Sequence, residues 1–230
     1  MKFAIIAAGE GSRLRSEGVQ ECKPLVRLGN ETLVGRLCRI FVQNGASEIV
    51  IVTRPEIEEQ LRGAELGGGV PVNIIGRLTP SSMHSFAEMA PMLKSESFCL
   101  TTVDTVFRED EFGSYVEAFR KTKNDCDGLW AVTPFIDDEK PLYIETNGGM
   151  ITKFGNTQGE ARVVSGGIYC MKPRCMPTLR RCLQNGVSRM RNFQRQLISD
   201  GRRLGAFEFG KIVDIDHAAD IRKAEEFLKG

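Results

Sequence analysis

Residues 2–14 read Lys2-Phe-Ala-Ile-Ile-Ala-Ala-Gly-Glu-Gly-Ser-Arg-Leu14 and are followed shortly by Lys23-Pro-Leu25. These residues carry the clearest signal of the fold. The apolar run, residues 3–8, has the length of one β-strand, and the segment Gly9-Glu-Gly11 ends that strand. Basic side chains lie just beyond the turn. A strand, a glycine turn and a cationic loop in this order predict a binding site for a polyphosphate.

The residue types of this turn suit phosphate oxygens. Small residues let the backbone approach a polyphosphate closely, and free amide groups can donate to its oxygens. Arg13 and Lys23 can neutralise the phosphate charge, and Ser12 can cap the segment that follows the turn. A plain βα turn with a chance Lys-Pro pair is the structural alternative.

Two other phosphate-binding loops fit these residues poorly. A Walker loop requires Gly-Lys-Ser/Thr, which the sequence does not contain. A dinucleotide-binding fingerprint requires a third glycine, and Leu14 stands at that position. The acidic residue that would bind a ribose is also missing from the end of the next strand, where residues 49–54 read Ile-Val-Ile-Val-Thr-Arg.

Ala7-Ala-Gly-x-Gly-Ser-Arg-Leu14 with Lys23-Pro-Leu25 resembles the signature of the nucleotidyltransferases that make nucleotide sugars and related activated phosphates. The usual Pro-Lys-Pro-Leu of that family reads Cys22-Lys-Pro-Leu25 here, which leaves the lysine in place. The resemblance implies that Arg13 and Lys23 are catalytic. It also implies a nucleotide-binding set made of Ala7, Ala8, Gly9, Glu10, Gly11 and Ser12.

The composition is that of an ordinary globular protein. The 230 residues, 41% hydrophobic and 27% charged, predict one domain with a full core. A net charge of +1 gives no general polyanion-binding surface, so we expect no nucleic-acid partner. The seven cysteines contain no Cys-x-x-Cys pair, which favours reduced thiols in a cytoplasmic protein. The sequence does not indicate an oligomeric state.

The amino terminus and the apolar runs indicate no membrane partner. Met1-Lys2 leads directly into the first strand, so we expect no signal peptide. No apolar run approaches the length of a membrane span.

Strands alternate with helical segments in the first half of the chain. The apolar spacing and the flanking Pro and Gly residues predict helices over residues 31–45, 55–62, 83–92 and 111–121. They predict further strands over residues 48–53, 72–75 and 97–103. This alternation predicts a doubly wound α/β sheet.

The second half has a different pattern. Asn147-Gly-Gly149 is a hairpin signal between two strands. The predicted strands are residues 128–135, 142–145, 150–154, 162–171 and 205–211, and the predicted helices are 177–185, 189–200 and 218–229. The order resembles the nucleotidyltransferase family throughout. It implies one Rossmann-like, three-layer α/β/α domain over residues 1–230, with a mixed sheet of the nucleotide-diphospho-sugar transferase (GT-A-like) type. Residues 1–125 would form its nucleotide-binding half. Residues 126–230 would form its acceptor-binding half and carry the C-terminal metal aspartate.

Aspartates at strand ends are the candidate metal ligands. Asp104 follows a buried strand, and ligands of open α/β sheets bind at the carboxyl ends of strands. The resemblance implies that Asp104 and Asp216 hold Mg²⁺ and that Asp220 caps the final helix. Mg²⁺ needs few protein carboxylates, because it retains waters and takes oxygens from substrate phosphates. Asp214 is either a further ligand or a group that supports the ligands. A capping cluster is the alternative for this acidic segment.

The family also implies a second wall for the nucleobase, at a segment that enters a helix. The nucleotide-binding candidates there are Thr79, Ser81 and Ser82. The segment Thr79-Pro-Ser-Ser82 departs from the Gly-Thr-Ala form usual in the family, which leaves the identity of the base open. We interpret His84 as a surface or capping residue.

The acceptor is less well defined by sequence. The Glu-Lys-Pro that sugar-1-phosphate uridylyl- and thymidylyltransferases use for their sugar is absent, and Ile151-Thr-Lys-Phe154 stands near its place. Phosphocholine or another small phosphorylated alcohol is therefore as plausible as a hexose-1-phosphate. Glycines inside a strand, as at residues 166–167, suggest close approach of a ligand or another backbone. The acceptor-binding candidates are Lys153, Arg162, Ser165, Gly167 and Lys172, although basic residues beside strands are often only solvated.

The implied reaction is attack of an acceptor phosphate oxygen on the α-phosphorus of an NTP, with release of pyrophosphate. Arg13 and the amides of residues 9–12 would hold the β- and γ-phosphates, and Lys23 would reach the α-phosphate. Asp214-Ile-Asp216 also allows a GT-A glycosyltransferase as an alternative, although that class carries Asp-x-Asp in mid-chain. A non-catalytic nucleotide-binding regulator and an NADP-dependent reductase, the latter supported by Arg54 alone, are further alternatives.

Overall fold

The computed structural model describes residues 1–122 and 126–229, and this part of the chain forms strands and helices in alternation. The strands are β1 Lys2–Ala7, β2 Arg27–Leu28, β3 Glu31–Thr32, β4 Ile49–Thr53, β5 Val72–Gly76, β6 Phe98–Thr102, β7 Thr105–Val106, β8 Gly128–Thr133, β9 Tyr143–Asn147, β10 Met150–Gly155, β11 Val163–Met171, β12 Leu204–Glu208 and β13 Val213–Asp214. The helices are α1 Ser12–Ser16, α2 Leu33–Gln43, α3 Pro55–Arg62, α4 Ser82–Leu93, α5 Glu109–Arg120, α6 Met176–Gln184, α7 Met190–Ser199 and α8 Ala218–Lys229.

One nine-stranded sheet runs through both sequence halves in the order β5-β4-β1-β6-β11-β8-β12-β10-β9. The first four strands of this order are parallel. β11 is antiparallel to β6 and to β8, and β12 is parallel to β8, so the sheet is mixed. β9 also pairs with β11, which curls the second half of the sheet back on itself.

Helices cover both faces of the sheet, because its strands carry apolar residues on both sides. In β1, Phe3 and Ile5 belong to one core and Ala4 and Ile6 to the other. The first core is completed by residues of α2, α3, α5 and α8, and the second by residues of α4, α6 and α7. The three layers of the predicted α/β/α sandwich are thus present.

Local sequence signals explain where several helices begin. The hydroxyl of Thr32 accepts a hydrogen bond from the amide of Gly35 at 3.1 Å and caps α2. Pro55 occupies the first turn of α3, where its missing amide hydrogen costs nothing. Three acidic residues in the first turn of α5 complement the helix dipole.

The sequence predicts the long elements well and the short ones poorly. Each long predicted strand and helix is present, with shifts of up to three residues at its ends. Five short features are missed: helix α1, the 3-10 turns Lys23–Leu25 and Pro173–Cys175, the β2–β3 pair and the β7–β13 pair. Strands of two residues and helices of three to five residues are too short to show a hydrophobic period. None of the described helices is long and apolar enough to cross a membrane.

Gly166 and Gly167 of β11 leave room for the side chains of Ile212 and Thr105. The two glycines lie at a bulge between the Ser165–Val132 and Tyr169–Trp130 pairs. A Cβ on Gly166 would overlap the side chain of Ile212. Gly167 has φ +74°, and a Cβ there would lie 2.8 Å from the hydroxyl of Thr105. The close approach expected from the sequence therefore has a packing cause.

We predict that Gly167→Ala destabilises the protein more than Gly201→Ala does. Both glycines have positive φ, at +74° and +73°, but a Cβ on Gly201 meets open space. Gly201→Ala should lower the free energy of unfolding by about 1–2 kcal/mol, the cost of a left-handed alanine. Gly167→Ala should cost about 1–3 kcal/mol more, because it also forces its neighbours apart. Urea unfolding of both variants measures the difference, and equal losses would contradict the packing argument.

Candidate active site

Two segments that are distant in sequence meet beside the carboxyl end of β6. β7 follows β6 directly and pairs antiparallel with β13, so that Thr105 lies opposite Asp214. The amide of Ile215 donates to the carbonyl of Asp104 at 3.1 Å. This short ladder brings together the predicted metal ligands, Asp104 and Asp216.

Lys23 joins these two aspartates. Its ammonium donates to Asp104 Oδ2 at 2.5 Å and to Asp216 Oδ1 at 2.8 Å, and its side chain is only 10% exposed. Because both oxygens contact one nitrogen atom, they lie closer to each other than the sum of these distances. Gly11, with φ +60°, turns the chain so closely that a Cβ there would lie 3.3 Å from the Cβ of Lys23.

The charges of this cluster stabilise one another unevenly. Burial disfavours the charge of Lys23, but Asp104 and Asp216 outweigh burial and raise the pKa of the ammonium. Burial also opposes ionisation of Asp104, but Lys23 lowers the pKa of this carboxyl below its usual value. Desolvation and the like charges of Asp104 and Asp216 raise the pKa of Asp214, which lowers the negative charge that this carboxyl carries. Lys23 therefore balances one of the two other carboxylates.

Arg13 extends the cluster from the other side. It lies in α1, and its guanidinium donates to Asp216 Oδ2 at 3.1 Å and to Glu139 Oε2 at 3.2 Å. Its side chain is 48% exposed, so it remains accessible to a ligand. Both predicted catalytic cations thus contact Asp216.

The space around these charges is open to a ligand. Arg13, Asp214 and Asp216 line a cavity of about 160 Å³. A Cβ placed on Gly9 would meet nothing within 4 Å, so the backbone of the glycine turn faces free space. Asp214 also lines a second groove together with Asp104, so the carboxylates of the cluster face two adjoining open spaces. This arrangement can hold an anionic group against a cation, the task of a phosphate-transfer site.

Residues 3–201 match the MobA-like NTP transferase domain family. The chain belongs to this family. It is accordingly a nucleotidyltransferase, as the resemblance of its first 25 residues implies. The match ends before Asp214 and Asp216, so it does not cover that side of the cluster.

Solved structures of nucleotidyltransferases share the fold over nearly the whole chain. The inositol-1-phosphate CTP transferase from T. maritima is 19% identical, with a TM-score of 0.82, and the alignment covers 99% of this chain and 97% of that one. A protein from Bacillus anthracis assigned as a glucose-1-phosphate thymidylyltransferase, solved with sucrose, is 17% identical, with a TM-score of 0.84 and coverages of 99% and 94%. No curated protein sequence matches the chain significantly.

An acidic loop at the nucleotidyltransferase site was not predicted from the sequence. Asp137, Asp138 and Glu139 line the same cavity as Arg13. Asp137 pairs with Lys223 at 3.3 Å, and Glu139 pairs with Arg13 at 3.2 Å. Three consecutive acidic residues in a loop look like an ordinary solvated turn, and only the fold shows that they face the site.

The predicted nucleobase segment, residues 79–82, leads into the amino terminus of α4. The hydroxyls of Thr79 and Ser81 have protein partners. The hydroxyl of Thr79 lies 2.6 Å from that of Ser85. Ser81 Oγ lies 2.9 Å from His84 Nδ1, a contact between two side chains at the start of α4. Ser82 shares a groove with Asp104.

The predicted acceptor residues divide into two groups. Ser165 and Gly167 line the groove that also contains Asp104. The other three lie elsewhere. Arg162 is exposed beside β11, and Lys153 pairs with Glu145 at 2.8 Å on the outer surface. Lys172 follows Met171, which pairs with the first residue of β6. Lys172 therefore lies at the amino end of β6, whereas Asp104 follows the carboxyl end of that strand. We do not assign the acceptor to these three lysine and arginine side chains.

We predict that Glu17→Gln lowers the pKa of His217. The hydrogen bond from His217 Nδ1 to Glu17 Oε1, 2.6 Å long, is the main cause that raises the pKa of this histidine above its usual value. The pair therefore stabilises the fold below about pH 6.5, and its contribution is lost as the pH rises through the raised pKa.

NMR titration can test this directly, since the chain has only two histidines. The signals of His217 should titrate at lower pH in Glu17→Gln than in the wild type. An unchanged His217 titration would show that the contact with Glu17 does not hold in solution.

Proposed function

We propose that this nucleotidyltransferase condenses an NTP with a phosphorylated small molecule, in a Mg²⁺-dependent reaction that releases pyrophosphate. The observation that carries the proposal is the contact of Lys23 with both Asp104 and Asp216, beside the glycine turn. This contact places the most buried cation of the site between two carboxylates that end separate strands.

The carboxylates fit a magnesium ion by their chemistry and proximity. Asp104 and Asp216 offer hard oxygen donors close enough to contact one nitrogen atom. Among the described residues, no group of three or more potential ligands is arranged to hold a metal alone. That is compatible with Mg²⁺, which takes most of its ligands from water and substrate phosphates. When bound, the ion supplies Lewis-acid stabilisation of phosphate charge.

The residues of the chain supply binding and orientation. Arg13 and the amides of the glycine turn are placed to hold the β- and γ-phosphates, since the turn faces open space. Lys23 is held charged by its two aspartates and can donate to the α-phosphate. Glu139 contacts Arg13 in the free protein, so a triphosphate must displace this carboxylate.

The chemical step requires no general base. A phosphate monoester is already largely ionised near neutral pH, so its oxygen can attack directly. That oxygen forms a bond to the α-phosphorus, and the bond from the α-phosphorus to the bridging oxygen breaks. Pyrophosphate leaves with the bonding electrons. Catalysis then consists of aligning two anions and neutralising their charge.

The acceptor belongs to the sugar- and polyol-phosphate class in this proposal. The two solved neighbours are named for inositol-1-phosphate and glucose-1-phosphate, and their fold extends over 99% of this chain. The missing Glu-Lys-Pro argues against the uridylyl- and thymidylyltransferase mode of sugar binding. A phosphorylated alcohol such as phosphocholine is the competing acceptor.

We place the reaction in the cytoplasm. All seven cysteines are free thiols, as a reducing compartment would maintain them. Both substrates of the proposed reaction are water-soluble.

A thermal-shift screen of CTP, UTP, dTTP, GTP and ATP with Mg²⁺ tests the nucleotide half of the proposal. A ligand that binds the native state raises the Tm, so one or two nucleotides should stabilise the protein clearly. The best nucleotide is then combined with a panel of phosphorylated sugars, polyols and choline, and pyrophosphate release is measured. Absence of stabilisation by every nucleotide would contradict the proposal.

We predict that Lys23→Ala lowers the turnover number by about 10²–10³-fold, the typical cost of one lost contact to transition-state charge. Lys94→Ala, which removes an exposed lysine after α4, is the matched control and should retain wild-type turnover. Near-normal activity of Lys23→Ala would remove this residue from the mechanism.

Asp104→Asn and Asp216→Asn should each lower turnover by about 10²-fold or more and leave the far-UV circular dichroism spectrum unchanged. The double variant should be little worse than either single variant, because residues that act as one unit are not additive. Strictly additive losses would mean that the two aspartates act separately.

A further inference from the structure

We propose that the acceptor phosphate is bound by a cationic groove formed by Lys140, Arg189 and Arg191, a site that the sequence did not indicate. The inference rests on the proposed function, since it names the residues that hold the second substrate. The three cations line one groove of about 410 Å³ together with Asp104 and Asp214. A phosphate held by them therefore lies in the same open space as the carboxylates of the active site.

The three cations of this groove have no direct salt-bridge partner in the described part of the chain. Within residues 1–122 and 126–229, Lys140, Arg189 and Arg191 form no ion pair, and the carboxylates that share the groove with them are Asp104, Asp138 and Asp214. Arg191 donates to the carbonyl of Lys140 at 2.9 Å, which leaves its charge in place. Other cations near the site differ, since Arg13 and Lys223 each contact two carboxylates. Cations without a salt-bridge partner in a concave surface are available to pair with a bound anion.

The groove continues into a second depression with the same character. Lys140, Arg189 and Arg191 line both spaces, and Arg195 and Asn156 line the second. Arg195 donates to Asn156 Oδ1 at 2.5 Å, and it also has only neutral partners within the described residues. The far end can thus offer amide and guanidinium donors to the hydroxyl groups of an acceptor.

The backbone of Arg189 supports a role beyond packing. Arg189 has φ +70° and is the one non-glycine residue with positive φ in the described part of the chain. A positive φ with ψ 138° is a strained conformation for a residue with a side chain, and it persists where the surroundings enforce it. Ser81 Oγ accepts the amide hydrogen of Arg189 at 3.2 Å. A residue predicted to bind the nucleotide therefore positions a cation of the acceptor groove.

The wall of the groove also contains two buried neutral side chains, Gln194 and Tyr169. Gln194 accepts a hydrogen bond from Trp130 Nε1 at 3.1 Å and donates to the hydroxyl of Tyr169 at 3.2 Å. Gln194 and Tyr169 are 2% and 6% exposed, and both line the groove. Burial raises the pKa of Tyr169, so the phenol keeps its proton. The hydroxyl of Ser165, which lines the same groove, is buried without a hydrogen-bond partner among the described residues.

The chemistry of these groups selects a phosphate monoester. Its three terminal oxygens accept several hydrogen bonds, and arginine pairs with two of them at once. A phosphate held there would share the groove with Asp104, the proposed ligand of the metal at the α-phosphate. A non-phosphorylated alcohol would leave the cations without a partner, so the groove should discriminate strongly against it.

The test is a calorimetric titration with inorganic phosphate, performed with and without the nucleotide that gives the largest thermal shift. Arg189→Gly removes the guanidinium and tolerates positive φ, and Arg191→Gln removes the second charge. Each substitution should raise the Kd of phosphate by about 10–100-fold, as expected for loss of a hydrogen bond to a charged group. Arg180→Gln, which removes an exposed arginine of α6, is the matched control and should leave the Kd unchanged.

The positioning role of Ser81 has a separate readout. Ser81→Ala should weaken phosphate binding by less than Arg189→Gly does, and Arg189→Lys should restore part of the affinity lost in Arg189→Gly. The Tm shift produced by the nucleotide should be the same in Arg189→Gly, Arg191→Gln and the wild type, which shows that these variants fold.

The outcomes separate the inference from the proposed function. If no nucleotide stabilises the wild type, the proposed function fails, and the phosphate titration without nucleotide still tests the groove. If nucleotides bind but phosphate binds equally to the wild type, Arg189→Gly and Arg191→Gln, the groove is not the phosphate site. Absence of measurable phosphate binding to the wild type would overturn the inference as well.

Discussion

The bridge from Lys23 to Asp104 and Asp216 is the interaction on which the rest of the site depends. It requires the glycine turn after β1, which places Lys23, and the β7–β13 ladder, which places both aspartates. In the free protein the ammonium keeps the two carboxylates from repelling each other. In the proposed reaction, the two carboxylates would hold the metal ion and Lys23 would contact the triphosphate. The fold thus brings together the charges that this proposal uses.

The sequence predicts the parts of this site that a local pattern encodes. The glycine turn and Lys23 lie within 25 residues, and their order is specific enough to indicate the family. Asp104 is visible as the polar end of a buried strand. The fold class follows from strands of five or six residues that alternate with helices of eight or more, together with apolar strands buried on both faces.

The other parts of the site cannot be predicted from local sequence, because they depend on the tertiary structure. Lys172 resembles a phosphate ligand in sequence, but the antiparallel direction of β11 carries it to the amino end of β6, away from Asp104. Arg189 and Glu139 have no local signal, since each stands in a polar loop and faces the site only because the loop folds over it. The two-residue strands β7 and β13 are also invisible to periodicity, yet their pairing assembles the carboxylates.

The most direct test of the account is Mn²⁺ binding in the presence of the preferred nucleotide, followed by electron paramagnetic resonance. We expect one nucleotide-dependent Mn²⁺ site per chain in the wild type, weakened at least about tenfold by Asp104→Asn and by Asp216→Asn. Asp110→Asn, an exposed change in α5, should leave the affinity unchanged. Wild-type Mn²⁺ affinity in both Asp104→Asn and Asp216→Asn would contradict the assignment of this cluster as the reaction centre.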